Sequence, residues 1–216
     1  MFYPIYLNLK GKQVVVIGGG DVAERKVESL LGTGAAIRVI SPEVTAALVS
    51  LANAKLIELQ QRHYIQGDCN GATLVLSATD DPEVSKAVWE EATAAGVMVN
   101  TADQPALCNF IMPAVVRRGD LTVAISTGGA SPALAARLRG KLSRMLGPEY
   151  EKLIDLLAQA RPEIRRRVQH ERDRKVLHFQ ILDSDVLTLL QQNDVDGAER
   201  RLREIIEDFA CEGKTS

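Results

Sequence analysis

The chain has 216 residues, 46% of them hydrophobic and 25% charged, with a formal net charge of −2. It is long enough to bury a real core in one large domain, or in one domain plus a smaller one. A mildly acidic chain with 4% aromatic residues lacks the charge and the stacking platforms of a nucleic-acid binder. No apolar run approaches the ~18 residues of a membrane span. Cys69, Cys108 and Cys211 are odd in number and far apart, which excludes a disulfide framework and predicts free thiols.

The opening Met1-Phe2-Tyr3-Pro4-Ile5-Tyr6-Leu7 carries no basic leader and turns polar at Asn8. It reads as something other than a signal peptide, so a cytoplasmic protein is expected. Val14 to Ile17 is an apolar, β-branched run that ends in Gly18-Gly19-Gly20 and passes into a helical pattern from Asp21. Ile37–Ile40 reads as a second strand, followed by Ser41-Pro42-Glu43 and a short helix to about Leu51. Lys55–Leu59 reads as a third strand and Thr73–Ala78 as a buried fourth. Thr79-Asp80-Asp81-Pro82-Glu83 is a helix start, with a polar cap, proline in the first turn and acids against the dipole. That helix is expected to stop at Gly96, ahead of a fifth strand, Val97–Asn100. Strands alternating with helices predict an α/β unit with a parallel sheet and helices on both faces.

The pattern then changes. Ala114–Arg118 and Leu121–Ser126 read as two strands around Gly119-Asp120, which is not the strongest of hairpin turn pairs. Ser131-Pro132 caps a helix running to about Leu146, ended by Gly147-Pro148, and everything from Glu149 onward is helical in pattern.

Four features bear on chemistry. Gly18, Gly20 and Ala23 match G-x-G-x-x-A between a strand and a helix, the arrangement of a dinucleotide loop. There the helix amides and dipole face the phosphates. The bland alternative is a tight structural turn. No acid ends the second strand; Ser41 and the slightly later Glu43 are the residues near a ribose, and the absence of an adjacent Arg favours NAD over NADP.

Asp103 lies just past the carboxyl end of the fifth strand, the ligand edge of an open α/β sheet. It can be a catalytic carboxylate or an ordinary turn former. Asp80 and Asp81 occupy the same edge of the fourth strand, where capping is the simpler reading. Ser126-Thr127-Gly128-Gly129 is a second glycine loop opening a helix, either an anion cradle or a capped helix start.

Charge is the fourth feature. Residues 114–178 carry 14 Lys/Arg against 7 Asp/Glu, inside a chain that is otherwise acidic. Arg137, Lys141 and Arg144 fall at i, i+4 and i+7, and seven more cations follow from Arg161 to Lys175. This suits a polycarboxylate ligand or a solvated helix surface. His63, His170 and His178 have no metal-ligand spacing, so no protein-held metal is expected.

Several segments together carry a family resemblance: Gly18-Gly19-Gly20-Asp21-Val22-Ala23-Glu24-Arg25-Lys26, Ala78-Thr79-Asp80-Asp81, Asn100-Thr101-Ala102-Asp103, Asn109-Phe110-Ile111-Met112-Pro113-Ala114 and Ser126-Thr127-Gly128-Gly129-Ala130-Ser131-Pro132. In this order the chain resembles the precorrin-2 dehydrogenase / sirohydrochlorin ferrochelatase family, the N-terminal module of sirohaem synthase.

The resemblance implies an NAD-binding Rossmann domain at 1–113, a dimerisation segment at 114–147 and a helical C-terminal domain at 148–216, assembled as a homodimer. It implies NAD-dependent oxidation of precorrin-2 to sirohydrochlorin, and in some members insertion of Fe2+, with Co2+ as the other metal substrate. Asp103 maps to the family's essential aspartate. Gly18, Gly20, Asp21, Val22, Pro42 and Glu43 map to NAD contacts, with Thr79, Asp80 and Thr101 as further cofactor candidates. Ser126, Thr127, Gly128, Arg137 and Lys141 are the candidate tetrapyrrole contacts. No methyltransferase module is expected, the chain ending at Ser216. The rival from another class is a non-catalytic NAD-sensing module, which needs neither Asp103 nor the basic segment; within enzymes it is a dehydrogenase without chelatase activity.

Overall fold

A computed structural model describes residues 2–212. The chain divides into two compact units, residues 1–112 and 113–216.

The first unit is built on five parallel strands: β1 (Gln13–Ile17), β2 (Ala36–Ile40), β3 (Glu58–Gln60), β4 (Leu74–Ser77) and β5 (Met98–Thr101), in the order β3-β2-β1-β4-β5. Alternation along the strands sorts their side chains into two cores. Val14, Val16, Ile37, Val39, Leu74 and Leu76 face one way and bury Ala23, Val27 and Leu30 of α1 (Asp21–Leu30) with Leu48 of α2 (Ala46–Asn53). Val15, Ile17, Ile40, Val75 and Val99 face the other way, onto Val88 and Ala92 of α3 (Pro82–Ala94). Both faces are covered, as a parallel sheet requires. Strand order reverses between β1 and β4, so the carboxyl ends of these two strands form the topological switch where such sheets bind ligands.

Two boundaries depart from the sequence reading. The helix after β2 begins only at Ala46, because Thr45 caps it by accepting from the Leu48 amide at 3.3 Å. The third strand begins at Glu58 instead of Lys55. Helix α2 runs on to Asn53, Lys55 turns back at φ 59°, and pairing with β2 starts at Arg38↔Glu58. Elsewhere the capping logic holds: Asp81 accepts from the amides of Glu83 and Val84, Pro82 opens α3, and Gly96 sits at φ 67° past its end.

The loop between β3 and β4 is pinned by one carboxylate. Glu91 accepts from the Tyr64 hydroxyl and from the amides of Gly67 (3.0 Å) and Cys69 (2.8 Å). Burial first, then Glu91, pushes the Cys69 thiol up to about 12.

The second unit opens with a hairpin, β6 (Ala114–Arg118) and β7 (Leu121–Ile125), antiparallel around a two-residue turn. Gly119 takes the first central position at φ 54°, which is where primed hairpin turns need glycine. α4 (Pro132–Met145) starts on a Ser131 cap that accepts from Leu134 N at 3.2 Å. Then come α5 (Glu149–Arg167), α6 (Glu171–Leu182), α7 (Val186–Gln191) and α8 (Val195–Glu212) around a core that includes Leu156, Ile164, Leu177, Ile181, Leu190 and Ile206. Among the described residues, no helix is long and apolar enough to cross a membrane.

Candidate active site at the carboxyl edge of the sheet

The three glycines after β1 do different work. Gly18 stands at φ 115° and is buried; a Cβ there would lie 2.1 Å from the Ala78 carbonyl oxygen. A Cβ on Gly19 would lie 2.2 Å from the Glu43 carbonyl oxygen. These two let the ends of β1, β2 and β4 close on one another. Gly20 is exposed, has open space around its Cβ position, and caps α1 with no side-chain hydrogen bond. The first amides of α1, at Asp21, Val22 and Ala23, have no partner within the helix by its geometry. An open backbone at Gly20 beside these amides is a cradle that a pyrophosphate fits. The sequence reading named Gly18 and Gly20 but missed Gly19, whose need for closeness comes from a residue 24 positions on.

Around this cradle Asp21 and Val22 are exposed, as are Pro42 and Glu43 after β2. Ser41, weighed as a ribose partner, donates its hydroxyl to the Glu43 carbonyl at 2.6 Å and is 8% exposed; its proton is committed to shaping the turn. After β4, Thr79 accepts from Asp81 N at 3.3 Å and Asp80 is exposed, while Asp81 takes the cap. Thr101 is 3% exposed and its hydroxyl finds no partner, as does that of Ser77, which sits opposite it in the β4–β5 register.

Asp103 is exposed and holds φ 56°, a left-handed conformation that a non-glycine residue adopts at a cost. The conformation persists because the loop around it is over-determined. Ala102 N donates to Ser77 O at 2.8 Å, Asn109 N to Val99 O at 3.0 Å, and Val99 N to the Asn109 side-chain oxygen at 2.8 Å. Cys108 bridges back to Asn100, and its sulfur receives the Thr101 amide at 3.2 Å.

Lys26 of α1 reaches this loop. Its Nζ donates to Asn100 Oδ1 at 3.0 Å, and Met112 Sδ lies 3.6 Å away. Burial lowers the Lys26 pKa, opposed by the nearby Cys108 and Asp103. The sequence reading quoted Lys26 within a motif without giving it a role. Its signal is positional: three residues past Ala23, it flanks the helix face that meets the sheet.

The remaining candidates lie in the second unit. Ser126 accepts from Gly128 N at 3.0 Å, Thr127 accepts from Ser131 N at 3.0 Å, and Gly128 has φ 64°. Both hydroxyl oxygens thus accept from the loop's own backbone, which leaves their O–H groups to donate. Arg137 and Lys141 are exposed on α4 and pair with nothing among the described residues. A groove of about 980 Å³ lies along α5 and α6, where Arg161, Arg165, Arg172 and Lys175 face one carboxylate, Glu171. His170 caps α6 and His178 lies within it. Among the described residues, no group of three or more His, Cys, Asp or Glu is placed to hold a metal.

The comparisons with known proteins follow the same division. The family described as Putative NAD(P)-binding matches residues 5–114, Sirohaem biosynthesis protein central matches 118–145, and Sirohaem synthase dimerisation region matches 149–206. This last region covers α5, α6, α7 and the part of α8 up to Ile206, whereas the sequence reading gives dimerisation to 114–147.

The chain is 37% identical over 200 residues to a siroheme synthase of Nitrosococcus oceani, covering 91% of this chain and 43% of that protein. It is 35% identical over 201 residues to one of Azotobacter vinelandii, covering 93% and 43%. It therefore spans less than half the length of these curated relatives. Among solved structures, SirC, a precorrin-2 dehydrogenase, superposes with a TM-score of 0.73 at 28% identity, covering 92% of this chain and all of that one. With an NAD(P)-binding unit followed by the sirohaem synthase central and dimerisation regions, the chain belongs to the family of the sirohaem synthase N-terminal module.

Proposed function

We propose that this protein is an NAD-dependent dehydrogenase that oxidises precorrin-2 to sirohydrochlorin in sirohaem biosynthesis, and that it works as a cytoplasmic homodimer. The observation that carries the reading is the tie between α1 and the end of β5 at one sheet edge. The helix opening at the Gly20 cradle sends Lys26 to Asn100, three residues from Asp103. The likeness to SirC and the siroheme synthases supplies the substrate class.

The cradle of Gly20 and the α1 amides would hold the pyrophosphate, with Pro42 and Glu43 on the ribose side and Thr79 and Asp80 lining the edge toward β5. Thr101, a cofactor candidate by sequence, is buried beneath that edge. NAD is favoured over NADP because no Arg stands beside Ser41 and Pro42 to meet a 2′-phosphate. Bound there, an oxidised nicotinamide supplies the hydride acceptor. Asp103 is the base. As the substrate loses a hydride from carbon, it must also lose a proton to form the new double bond, and the Asp103 carboxylate accepts it. Such positioned base catalysis contributes typically 10²–10⁴-fold.

The candidate partners for the tetrapyrrole's carboxylates are Arg137 and Lys141 on α4, the cations along α5–α6, and the Ser126-Thr127-Gly128 loop. Insertion of Fe2+, with Co2+ as the alternative substrate, requires pyrrole N–H groups to lose protons, and Asp103 serves that step as well. The division into a cofactor domain at 1–113, a dimerisation segment at 114–147 and a helical domain at 148–216 is part of this reading. The match to a dimerisation region at 149–206 favours a dimer contact through the helices as well.

A two-stage assay tests it. Purified protein is given precorrin-2 and NAD, and the absorbance of sirohydrochlorin is followed. Ready-made sirohydrochlorin is then offered with Fe2+ or Co2+. Turnover in the first stage alone makes the protein a dehydrogenase only; turnover in neither stage, with NAD bound, returns it to the class of NAD-sensing modules.

A further inference from the structure

Lys26 breaks a rule that surface lysines keep. A lysine on a helix ordinarily lays its stem on the protein and leaves its ammonium in water. Here the ammonium is turned inward onto a neutral amide oxygen, with no carboxylate within ion-pair distance among the described residues. Removing an ammonium from water without a paired anion is costly, and the lowered Lys26 pKa reflects that burial. Local rules are broken in this way mostly where function needs it.

The contacts beyond Lys26 say what the ammonium holds. Asn100 uses its Oδ1 for Lys26, and its Nδ2 donates to Phe110 O at 3.1 Å and to Cys108 Sγ at 3.5 Å. Cys108 Sγ lies 3.3 Å from the carbonyl oxygens of both Thr101 and Gln104 and receives the Thr101 amide. Thr101 and Gln104 flank the turn in which Asp103 takes its positive φ. Every link in this chain is a hydrogen bond to a group on one side of Asp103 or the other.

We infer that Lys26 is a positioning residue for Asp103, acting through Asn100 and Cys108 to tie the helix that opens the dinucleotide cradle to the loop that carries the proposed base. The part played in turnover rests on the proposed function; the part played in ordering the loop does not.

The experiment has two arms. In the first, hydrogen exchange is followed by mass spectrometry on the dinucleotide-free protein. Lys26→Met keeps the stem and removes the donor. Peptides covering residues 101–110 should then exchange about tenfold faster, while peptides from β1 and β4 keep the wild-type rate. Thermal unfolding should stay close to wild type, since the half-buried ammonium and its bond to a neutral oxygen are lost together. In the second arm, kcat for precorrin-2 oxidation should fall about 10–100-fold, the range that misplacement of a catalytic group costs. The KM for NAD should stay within about twofold.

Two further variants separate positioning from general damage. Propylammonium should restore part of the kcat of Lys26→Ala. Lys26→Met combined with Asn100→Ala should lose no more than the worse single variant, because one relay cannot be broken twice. Unchanged exchange at 101–110 in folded Lys26→Met overturns the inference, and so do fully additive losses. Should Lys26→Met fail to fold, Lys26→Gln is read in the same two arms. If wild-type protein oxidises no precorrin-2 while the exchange result holds, the function falls and the relay stands.

Discussion

Both units hold ion pairs, but the second also carries a run of untied cations. In the first unit charges are tied to particular partners: Arg38 to Glu58 at 3.0 Å, Arg62 to both oxygens of Asp68 at 2.7 Å, and Lys26 to Asn100. In the second unit Arg167 pairs with Glu163, Arg201 with Asp185 and Arg203 with Glu199, but a run of other cations meets no partner. Arg137, Lys141, Arg161, Arg165, Arg172 and Lys175 have no hydrogen bond or ion pair among the described residues, though Arg118 and Arg174 bond to backbone carbonyls. A tied charge fixes geometry, while an untied one contributes field. The Lys26–Asn100 tie makes the first unit the place to look for chemistry at an atom, and the untied run makes the second the place to look for attraction of an anion.

The largest effect expected from this contrast is at Asp103. Asp103→Asn keeps the shape of the side chain and removes its basicity, so oxidation of precorrin-2 should fall by about 10²–10⁴-fold. The amide tolerates the left-handed conformation at φ 56°, as asparagine does generally. NAD affinity and unfolding temperature should therefore hold. Wild-type turnover in a folded Asp103→Asn protein would remove chemistry from the first unit altogether.

Next come the glycines, where one loop offers both a structural and a functional test. In Gly18→Ala the new methyl meets a carbonyl oxygen at 2.1 Å on a backbone at φ 115°. The loss of stability should reach about 3 kcal/mol or more, read by chemical denaturation. In Gly20→Val the side chain enters open space, so stability should shift by no more than about 1 kcal/mol. NAD binding, measured by titration calorimetry, should collapse. A Gly20→Val protein that binds NAD normally would mean the cradle is only a turn.

How far the sequence reveals these features depends on what each one needs. The five strands and Asp103's place past β5 are legible because short apolar, β-branched runs and glycine punctuation are local signals; the switch point is not, since it depends on which strands pair. The start of β3 is not, since it is set by where pairing with Arg38 begins and by a reversal at Lys55. Gly19 and Lys26 are hidden for the same reason. Each matters through a contact, with Glu43 O and Asn100 respectively, that joins segments distant in the chain. In the second unit the helices are legible as amphipathic runs, but which cations serve a ligand is not. Neither helical spacing nor charge density tells a solvated face from a binding face.

A smaller effect tests the tied charges. Arg62 first, then the Ile65 amide, hold the Asp68 carboxyl below its ordinary value. A carboxyl whose folded pKa is depressed adds stability above its unfolded pKa, about 3.9, and the gain disappears as pH falls through the folded value. Asp68→Asn should thus cost about 1 kcal/mol at pH 7 and nothing near pH 2. An equal cost at both values would show that the side chain acts by packing and not by charge.

The smallest effects belong to the untied cations, and they decide whether the second unit takes part in binding. Arg137→Ala and Lys141→Ala remove exposed charges that contact nothing among the described residues, so neither should change stability by more than about 0.5 kcal/mol. If they attract the carboxylates of the tetrapyrrole, each should weaken sirohydrochlorin binding two- to fivefold at low ionic strength. That loss should shrink as salt shortens the screening length from about 30 Å at 0.01 M to about 10 Å at 0.1 M. Wild-type affinity should fall over the same range, while the double variant falls less, having less charge left to screen. NAD affinity, set by the backbone cradle of the first unit, should not follow. Tetrapyrrole affinity that ignores both salt and the two substitutions would leave α4 a solvated face. The search for carboxylate partners would then move to the groove of Arg161, Arg165, Arg172 and Lys175.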